Sequence, residues 1–361
     1  MNSAESVLVF PAGIPDCQKW ARQASLKGVR VVGASSLPFD PAKDRYNEWT
    51  FLPWIHDPGF REAFGRCLKE QRIDAVYTAH AVVWPLLRDL LPKVARHVRL
   101  ESERPWDAEF REYGEYRAKA RRFLDSPLEV AAPACAPPLS TGQMAALVRM
   151  FQLVPGQCDF DKLEALTSVF RRLPPGDVVE LGSLWGRSAV ALAFLARRYE
   201  IGSLLCVDPW CNAELRQSIA EVDAVSDALD VEAIFQAFCV NLAAFGGDVN
   251  YLRMASVAAA DVYRRRRRIR TEDFGETAYG GKIALLHIDG NHALAAVRAD
   301  IAAWKPRVRA GGWIVFDDYC WPFGDGPKIA ADEFCGEHAD AIGVAFVTGG
   351  ALFAQILGPL R

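Results

Sequence analysis

Short apolar segments alternate with amphipathic stretches along most of the chain, and the alternation is clearest after residue 140. The short apolar runs predict buried strands, and the longer amphipathic stretches predict helices. Strands that alternate with helices indicate a parallel, doubly wound sheet, whereas a final pair separated only by residues 348–350 indicates an antiparallel hairpin. We expect strands at 178–181, 204–207, 249–254, 283–288, 313–316, 343–347 and 352–356, with helices at 187–199, 231–245, 258–266, 293–304 and 328–338. The predicted fold class is α/β, with a doubly wound, mostly parallel seven-stranded sheet.

The first hundred residues show the same alternation on a smaller scale. This rhythm of strand and helix indicates a small parallel α/β domain at the N-terminus. Residues 11–13 carry only one glycine after the first strand, so this turn is not a Gly-x-Gly-x-x-Gly dinucleotide motif. We expect strands at 7–10, 29–32, 74–77 and 98–100, with helices at 17–26 and 58–70.

A composition change separates the two regions of alternating pattern. Residues 107–124 are charged and helix-prone, and residues 131–138 are rich in proline, which is typical of a semi-rigid linker. Two amphipathic patterns then lead to the first strand of the larger sheet. The expected organisation is an N-terminal α/β domain at 1–125, a proline-rich linker at 126–140 and a larger domain at 141–361.

Composition and charge exclude several classes of function. The 361 residues are 51% apolar and 24% charged, which is ordinary for a globular protein. A net charge of −3 provides no basic field for nucleic acid. The sequence has no apolar run near the length of about 20 residues that a membrane-spanning helix needs. We therefore expect neither nucleic acid nor a membrane as a partner, and the sequence leaves a homo-oligomer open.

The cysteines point to a reducing compartment. There are nine of them, none in a Cys-x-x-Cys pair, so free thiols are expected rather than zinc ligands or disulfides. The N-terminal residues show neither the basic region nor the apolar region of a signal peptide. Both features predict a cytoplasmic protein.

A glycine-containing turn follows the first strand of the larger domain. In the string Val178-Val-Glu-Leu-Gly-Ser-Leu-Trp-Gly-Arg-Ser188, Gly182 and Gly186 remove side chains where backbone amides and a helix N-terminus could approach a ligand. Glu180 places a charge in an apolar strand, and Asp208 ends the next strand, where a carboxylate can accept ribose hydroxyls. This pattern predicts a nucleotide-type site.

Three carboxylates follow two later strands. Asp289 comes after one apolar strand, and Asp317 and Asp318 come after the next. Carboxyl ends of parallel strands meet at one edge of a sheet, so these oxygens predict a divalent-metal site with His292 nearby as a base. Oxygen ligands favour Mg²⁺, Mn²⁺ or Ca²⁺ over zinc. Because consecutive strand residues face opposite ways, both Asp317 and Asp318 can ligate only if the strand has already turned.

Structural roles are the alternative for each of these residues. Asp289 before Gly290 could form an Asx turn, and His292 could simply begin a helix. Asp317 could be structural while its neighbour binds the ion. His287 lies inside the apolar strand, which favours a core histidine with a hydrogen-bonded ring.

These motifs resemble those of class I S-adenosylmethionine-dependent methyltransferases. Residues 179–188 resemble motif I of that family, and Val207-Asp-Pro-Trp210 resembles the end of its second strand. Residues 287–292, 299–306 and 311–319 resemble the branch that contains the macrocin and mycinamicin sugar O-methyltransferases. The resemblance covers residues from about 175 to 320 and implies a Rossmann-like methyltransferase fold.

The resemblance also implies roles for individual residues. The methionine part of S-adenosylmethionine would lie by the turn after the first strand, the ribose by Asp208, and the adenine beyond the third strand. The implied cofactor residues are Glu180, Gly182, Ser183, Gly186, Asp208, Ala255 and Ser256.

In that branch the acidic residues of the fourth and fifth strands bind Mg²⁺. They correspond here to Asp289, Asp317 and Asp318, and the histidine that acts as general base corresponds to His292. The chain departs from the family pattern at Asn291, where a second acidic residue is common. A neutral residue there makes the local charge less negative but leaves the implied ligands intact.

The expected function is methyl transfer from S-adenosylmethionine to a hydroxyl of a small-molecule acceptor such as a sugar or a glycosylated metabolite, assisted by a divalent metal. A nucleotide-binding oxidoreductase is one alternative, although the dinucleotide motif is missing. A noncatalytic cofactor-binding or assembly protein is another. Residues 210–230 and 321–327 follow strand ends and are long enough to form lids, so we expect them to determine acceptor specificity. The N-terminal domain could bind a nucleotide, cover the acceptor pocket or mediate oligomerisation.

Overall fold

The computed structural model describes residues 5–217 and 219–360. The chain divides into two compact units, an N-terminal unit at Met1–Glu115 and a C-terminal unit at Tyr116–Arg361.

The N-terminal unit contains a five-stranded sheet in the order β3-β2-β1-β4-β5, with every neighbouring pair parallel. Leu8 packs in one apolar cluster and Val9 in another, so both faces of the sheet are covered. The elements are β1 (Ser6–Val9), α1 (Pro15–Leu26), β2 (Arg30–Ser35), β3 (Glu48–Phe51), α2 (Phe60–Glu70), β4 (Ala75–Tyr77), α3 (Val83–Val94) and β5 (Arg99–Leu100). The predicted small parallel α/β fold is confirmed.

Two elements of this unit are absent from the sequence-based prediction. Strand β3 is a half-exposed edge strand whose polar and aromatic residues show no clear period of two. Helix α3 contains Pro85 and Pro92, which argue against a helix in sequence alone. Pro85 lies in the first turn, where no backbone donor is required, and the helix buries Leu87 and Leu91.

The C-terminal unit is built on a seven-stranded sheet in the order β13-β14-β12-β11-β6-β7-β8. Its strands are β6 (Asp177–Leu181), β7 (Leu204–Val207), β8 (Val249–Leu252), β11 (Ile283–Ile288), β12 (Val308–Phe316), β13 (Ile342–Thr348) and β14 (Ala351–Ile356). The first five are parallel and the last two antiparallel, as predicted. A separate antiparallel pair is formed by β9 (Arg268–Thr271) and β10 (Gly275–Ala278).

Helices cover both faces of this sheet. Val178 packs in one apolar cluster and Val179 in the other, as expected for a doubly wound sheet with alternating side chains. A long helix, α4 (Asp107–Asp125), crosses the division between the two units. The helices that follow are α5 (Thr141–Leu153), α6 (Phe160–Phe170), α7 (Arg187–Arg198), α8 (Asn212–Leu215), α9 (Ala220–Ala228), α10 (Val231–Leu242), α11 (Ser256–Arg265), α12 (Leu294–Trp304) and α13 (Gly326–Glu337).

The compact units do not divide where the predicted linker lies. The division follows Glu115, and the core of the C-terminal unit includes Phe123, Val130 and Leu139. Val130 and Leu139, within the predicted linker at residues 126–140, therefore pack on this unit. The apolar side chains between the prolines explain the difference, because their burial offsets the cost of ordering the segment.

The strand register brings three loops together at one edge of the sheet. Ile288 of β11 pairs with Leu181 of β6 on one side and with Phe316 of β12 on the other. Gly182, Asp289 and Asp317 directly follow Leu181, Ile288 and Phe316 in the chain. These residues therefore meet at the carboxyl end of the sheet.

No single helix of the described residues is long and apolar enough to cross a membrane. The bent helix pair Ala220–Ala228 and Val231–Phe245 reaches the required length and composition only when its two members are taken together.

Candidate functional site

A cavity of about 750 Å³ opens at the carboxyl ends of the central strands of the C-terminal unit. Doubly wound sheets bind their ligands at this edge. The turns after β6, β7, β8, β11 and β12 contribute to its wall, together with parts of residues 155–162, 214–229 and 296–300. Both segments predicted to form lids, 210–230 and 321–327, contribute side chains to the cavity.

Asp208 holds the turn after β6 in place. Its carboxylate accepts hydrogen bonds from the backbone N–H groups of Ser183 at 3.0 Å, Leu184 at 2.9 Å and Trp210 at 2.7 Å. Burial raises the pKa of Asp208, and the three backbone donors oppose that rise. Because three backbone donors already occupy this carboxylate, it organises the predicted cofactor loop as well as lining the cavity.

Gly182 lies where the chain turns away from β6. Its φ of +83° is in the left-handed region, and an added Cβ would overlap the backbone carbonyl of Asp289 on the adjacent strand. Only glycine combines this backbone conformation with such a close approach.

We expect Gly182→Ala to destabilise the protein by about 3 kcal/mol and to abolish cofactor binding, because both the backbone conformation and the contact become unfavourable. Gly247→Ala is the matched control, since Gly247 has a φ of +91° with no atom near the position of its Cβ. Urea unfolding and calorimetric titration with S-adenosylhomocysteine check both effects. Equal losses of stability in the two variants would show that the contact with Asp289 is unimportant.

The structure brings most of the predicted cofactor residues to the cavity, but not all. Glu180 is fully buried behind the wall and does not line the cavity. Gly186 also lies outside the lining, and a Cβ there would meet Leu242 at 2.6 Å, so close packing against α10 requires this glycine. The predicted residues that do line the cavity are Gly182, Ser183, Asp208, Ala255 and Ser256.

The three predicted metal ligands also meet at the cavity. Asp289 follows β11, and Asp317 and Asp318 follow β12 after the strand has ended. Asp318 has a φ of +53°, and this left-handed turn allows consecutive aspartates to face the same cavity. Donor atoms of Asp289, His292 and Asp318 lie within 4.8 Å of one another, as do those of His287, Asp289 and Asp317.

A buried chain of polar side chains runs behind this cluster. The Ser183 hydroxyl donates to Glu180 at 2.6 Å, and the other Glu180 oxygen lies 3.1 Å from His287 Nδ1. His287 Nε2 lies 3.0 Å from Asp317, whose two oxygens each accept from Lys162 Nζ at 2.5 Å. The chain therefore connects the turn after β6 with the acidic cluster, and its two carboxylates face two basic side chains.

The electrostatics of these residues follow from burial and charge. Burial by itself lowers the pKa of His287, but the hydrogen bonds to Asp317 and Glu180 outweigh it and raise this pKa to about 10. The imidazolium form satisfies both carboxylates, because each ring nitrogen can then donate. Burial raises the pKa of Asp289 well above its ordinary value, and the charge of Asp317 adds to the rise. The prediction that His287 is a core histidine with a hydrogen-bonded ring agrees with this geometry.

His292 lies at the cavity wall beside the acidic cluster. Its Nε2 is 3.0 Å from an Asp318 oxygen, and its ring meets the edge of Trp321 with centroids 4.6 Å apart. Its buried Nδ1 has no hydrogen-bond partner among the described residues. One carboxylate and one aromatic ring therefore orient this histidine.

Sequence reasoning did not single out two cavity residues with chemical potential, Lys162 and Asp300. Lys162 lies four positions before the buried Leu166 on α6, so its position on an apolar helix face was a usable signal. Neither its partner Asp317 nor the proximity of Asp300 to Ser256 can be read from sequence spacing.

Asp300 gives the fold an expected pH dependence. Burial raises its pKa to about 6, with the hydroxyl of Ser256 acting against the shift. The folded protein therefore holds this proton more tightly than the unfolded chain, and stability falls as pH rises from about 4 to about 6. We expect Asp300→Asn to match the wild type near pH 4 and to exceed it by about 3 kcal/mol at pH 7.5, because two pKa units correspond to that energy.

Urea unfolding without cofactor at the two pH values checks this expectation. The exposed Asp340 offers a matched control, since Asp340→Asn should leave the pH profile of the wild type unchanged. Parallel profiles for Asp300→Asn and the wild type would contradict the expected effect.

Comparison with known proteins relates the region around the cavity to a known domain family. Residues 179–319 match the family model of the methyltransferase domain. The chain is similar to CalS11, a calicheamicin methyltransferase, with 15% identity over 67% of this chain and 91% of that chain and a TM-score of 0.41. It is similar to the O-methyltransferase NovP, with 14% identity over 70% and 100% of the two chains and a TM-score of 0.39.

A third similar structure is the MycE methyltransferase from the mycinamycin biosynthetic pathway, in complex with Mg, SAH and mycinamycin VI. The identity is 18% over 53% of this chain and 48% of that chain, with a TM-score of 0.32. Similarities of this size carry no argument about substrate or metal. No curated protein matches the sequence.

The matched region contains the features that the sequence singled out. It begins within β6, includes the glycine turn and Asp208, and ends just after the aspartate pair. The sheet that carries these residues has five parallel strands followed by an antiparallel hairpin. The chain therefore carries a methyltransferase domain at residues 179–319.

Proposed function

We propose that the enzyme methylates a hydroxyl oxygen of a small-molecule acceptor, with a divalent cation bound at the acidic cluster and His292 as the base. The observation that carries the proposal is the approach of Asp289, His292 and Asp318, whose donor atoms lie within 4.8 Å of one another at the cavity. A hydroxyl is a weak nucleophile until its proton is leaving, so a base beside a cation site suits transfer to oxygen.

The residues at the cluster suit a hard divalent cation. The side chains of Asp289 and Asp318 offer oxygen atoms, which Mg²⁺, Mn²⁺ and Ca²⁺ prefer. Among residues 5–217 and 219–360, none donates a hydrogen bond to the carboxylate of Asp289. Burial and repulsion by the negative charge of Asp317 raise the pKa of Asp289. A bound cation would offset this repulsion between the two carboxylates. When bound, it would supply positive charge that orients acceptor oxygens and lowers the pKa of the hydroxyl.

His292 is placed to receive the hydroxyl proton. Its Nε2 faces the cluster and is the basic nitrogen when the neutral ring carries its hydrogen on Nδ1. Once Nε2 has taken the hydroxyl proton, it would donate to the carboxylate of Asp318, 3.0 Å away, which would stabilise the imidazolium. Trp321 packs against the ring and limits its rotation. S-adenosylmethionine supplies the electrophilic methyl group, and the residues proposed to hold it are Gly182, Ser183, Asp208, Ala255 and Ser256, all at the cavity wall.

The proposed acceptor is a sugar or a glycosylated metabolite, which follows from the resemblance of residues 287–292 and 311–319 to the sugar O-methyltransferase branch. The oxidoreductase alternative is not favoured, because residues 179–319 match a methyltransferase domain and the dinucleotide motif is missing. The match equally disfavours a purely structural role for the domain.

The test is a methyl-transfer assay on the full chain. Sugar nucleotides and glycosylated metabolites are incubated with S-adenosylmethionine and MgCl₂, and mass spectrometry detects the added methyl group. Matched acceptors that carry an amine or a thiol in place of the hydroxyl serve as controls. We expect transfer to the hydroxyl acceptors; transfer to nitrogen or sulfur alone would contradict the proposal.

A further inference from the structure

Lys162 is a basic side chain inside the acidic cluster. It lies on α6, before the methyltransferase domain match begins, and is 5% exposed. Its Nζ lies 2.5 Å from both oxygens of Asp317, which is 4% exposed. A buried lysine with both of these contacts is held firmly at one member of the aspartate pair.

The contacts of Asp317 use its entire hydrogen-bonding capacity. One oxygen accepts from Lys162 and from the backbone N–H of Asp318 at 2.8 Å, and the other faces Lys162 and His287 Nε2 at 3.0 Å. An ionised carboxylate has about four lone-pair sites. All of them have donors here, so Asp317 could bind a cation only by giving up one of these partners.

Asp289 and Asp318 differ from Asp317 in how many of their carboxylate lone pairs have hydrogen-bond donors. The Asp289 carboxylate accepts no hydrogen bond from the described residues, and its cluster with His292 and Asp318 faces the cavity. One carboxylate oxygen of Asp318 lies 3.0 Å from His292 Nε2. Lone pairs therefore remain free on these two carboxylates, while those of Asp317 are occupied.

We infer that Lys162 retains Asp317 as a structural anchor and leaves the divalent cation to Asp289 and Asp318 alone. The inference rests on the proposed cation-assisted function and assigns the ligands within it. Lys162 is thus a positioning residue, which acts on the cation through Asp317. A cation with two anionic ligands keeps more water, and acceptor oxygens can replace that water.

The consequence is measurable without any acceptor. Mn²⁺ binding to the full chain is followed by electron paramagnetic resonance, and line broadening in ¹⁷O-water counts the waters on the ion. In Lys162→Met, Asp317 loses two of its contacts and can join the cation. We expect Mn²⁺ to bind about tenfold more tightly and to lose one water, because anionic ligand count sets the affinity of such sites.

Two control variants separate ligation from simple charge removal. Arg187 lines the same cavity without contacting Asp317, so Arg187→Met removes a positive charge but frees no carboxylate. We expect it to leave the water count unchanged. Lys162→Arg retains a cation that can pair with Asp317 and should restore the wild-type water count and affinity. Thermal unfolding of each variant confirms that it is folded, and Mn²⁺ should raise the melting temperature of Lys162→Met more than that of the wild type.

The outcomes distinguish this inference from the function on which it rests. A wild type that binds Mn²⁺, together with a Lys162→Met variant of unchanged water count, would overturn the inference and leave the cation-assisted function standing. Mn²⁺ binding to neither protein would overturn both. The inference would also be overturned if Lys162→Met lost a water and the double variant Lys162→Met/Asp317→Asn lost it too. The new ligand would then be a residue other than Asp317.

Discussion

Replacing His292 with glutamine should lower kcat by about 10²- to 10⁴-fold, the usual contribution of a general base. Glutamine keeps a polar side chain of similar reach but cannot accept the proton of an acceptor hydroxyl. The ring of His292 contacts Asp318 and Trp321, neither of which is a predicted cofactor residue. The dissociation constant for S-adenosylhomocysteine should therefore stay within about twofold of the wild type.

Initial rates at saturating acceptor and calorimetric titration measure these two quantities. His97 is exposed and lies in the N-terminal unit, so His97→Gln is the control for a histidine change outside the site. A decrease in kcat of less than fivefold in His292→Gln would remove the base assignment. An equal loss of cofactor binding would show instead that the substitution disturbs the whole cavity.

Replacing Asp289 with asparagine should lower kcat by about 10²- to 10³-fold and remove its dependence on Mg²⁺, because Lewis-acid assistance supplies several kcal/mol. The variant should nevertheless be at least as stable as the wild type without metal. Burial and the charge of Asp317 raise the pKa of Asp289, so its ionised form is unfavourable in the folded protein above that pKa. Asparagine removes this repulsion and keeps the shape.

A titration of MgCl₂ into chelator-treated enzyme measures the metal dependence, and differential scanning calorimetry measures stability. Glu276→Gln is the control, since Glu276 is exposed on β10 and pairs with Arg268 away from the cavity. Full activity of Asp289→Asn in the presence of chelator would mean that the cluster serves another purpose. A large loss of stability in this variant would mean that Asp289 supports the fold instead.

The larger sheet was predictable because each strand carries its signal locally. Parallel strands buried on both faces appear as short apolar runs, and each of the first five is followed by an amphipathic helix. The elements missed lack such a signal. Strands β9 and β10 contain charged and small residues, and β10 has three exposed positions of four. Their pairing is supported by Asn250, whose side chain bonds to the backbone of Ile269 and Gly275.

The site was predictable to the extent that it follows strand ends. Acidic residues directly after apolar strands indicated a shared edge, and the register of β6, β11 and β12 places these ends side by side. The sequence could not show that the chain has already turned at Asp318, since a φ of +53° is a local backbone state that aspartate only occasionally adopts. It also indicated Glu180 as a cofactor residue, whereas the folded chain buries it against His287.

The sequence by itself determined the fold class, the order of the strands along the chain, the glycine turn and the identity of the acidic residues, because hydrophobic period and strand-end chemistry are properties of neighbouring residues. Only the tertiary structure decided which of these side chains share partners. The contact of Lys162 with Asp317 joins residues far apart in the chain, and the chain from Ser183 to Lys162 exists only once β6, β11, β12 and α6 have packed. The difference between Asp317, which is fully hydrogen-bonded, and Asp289, which is open to the cavity, is therefore a consequence of packing.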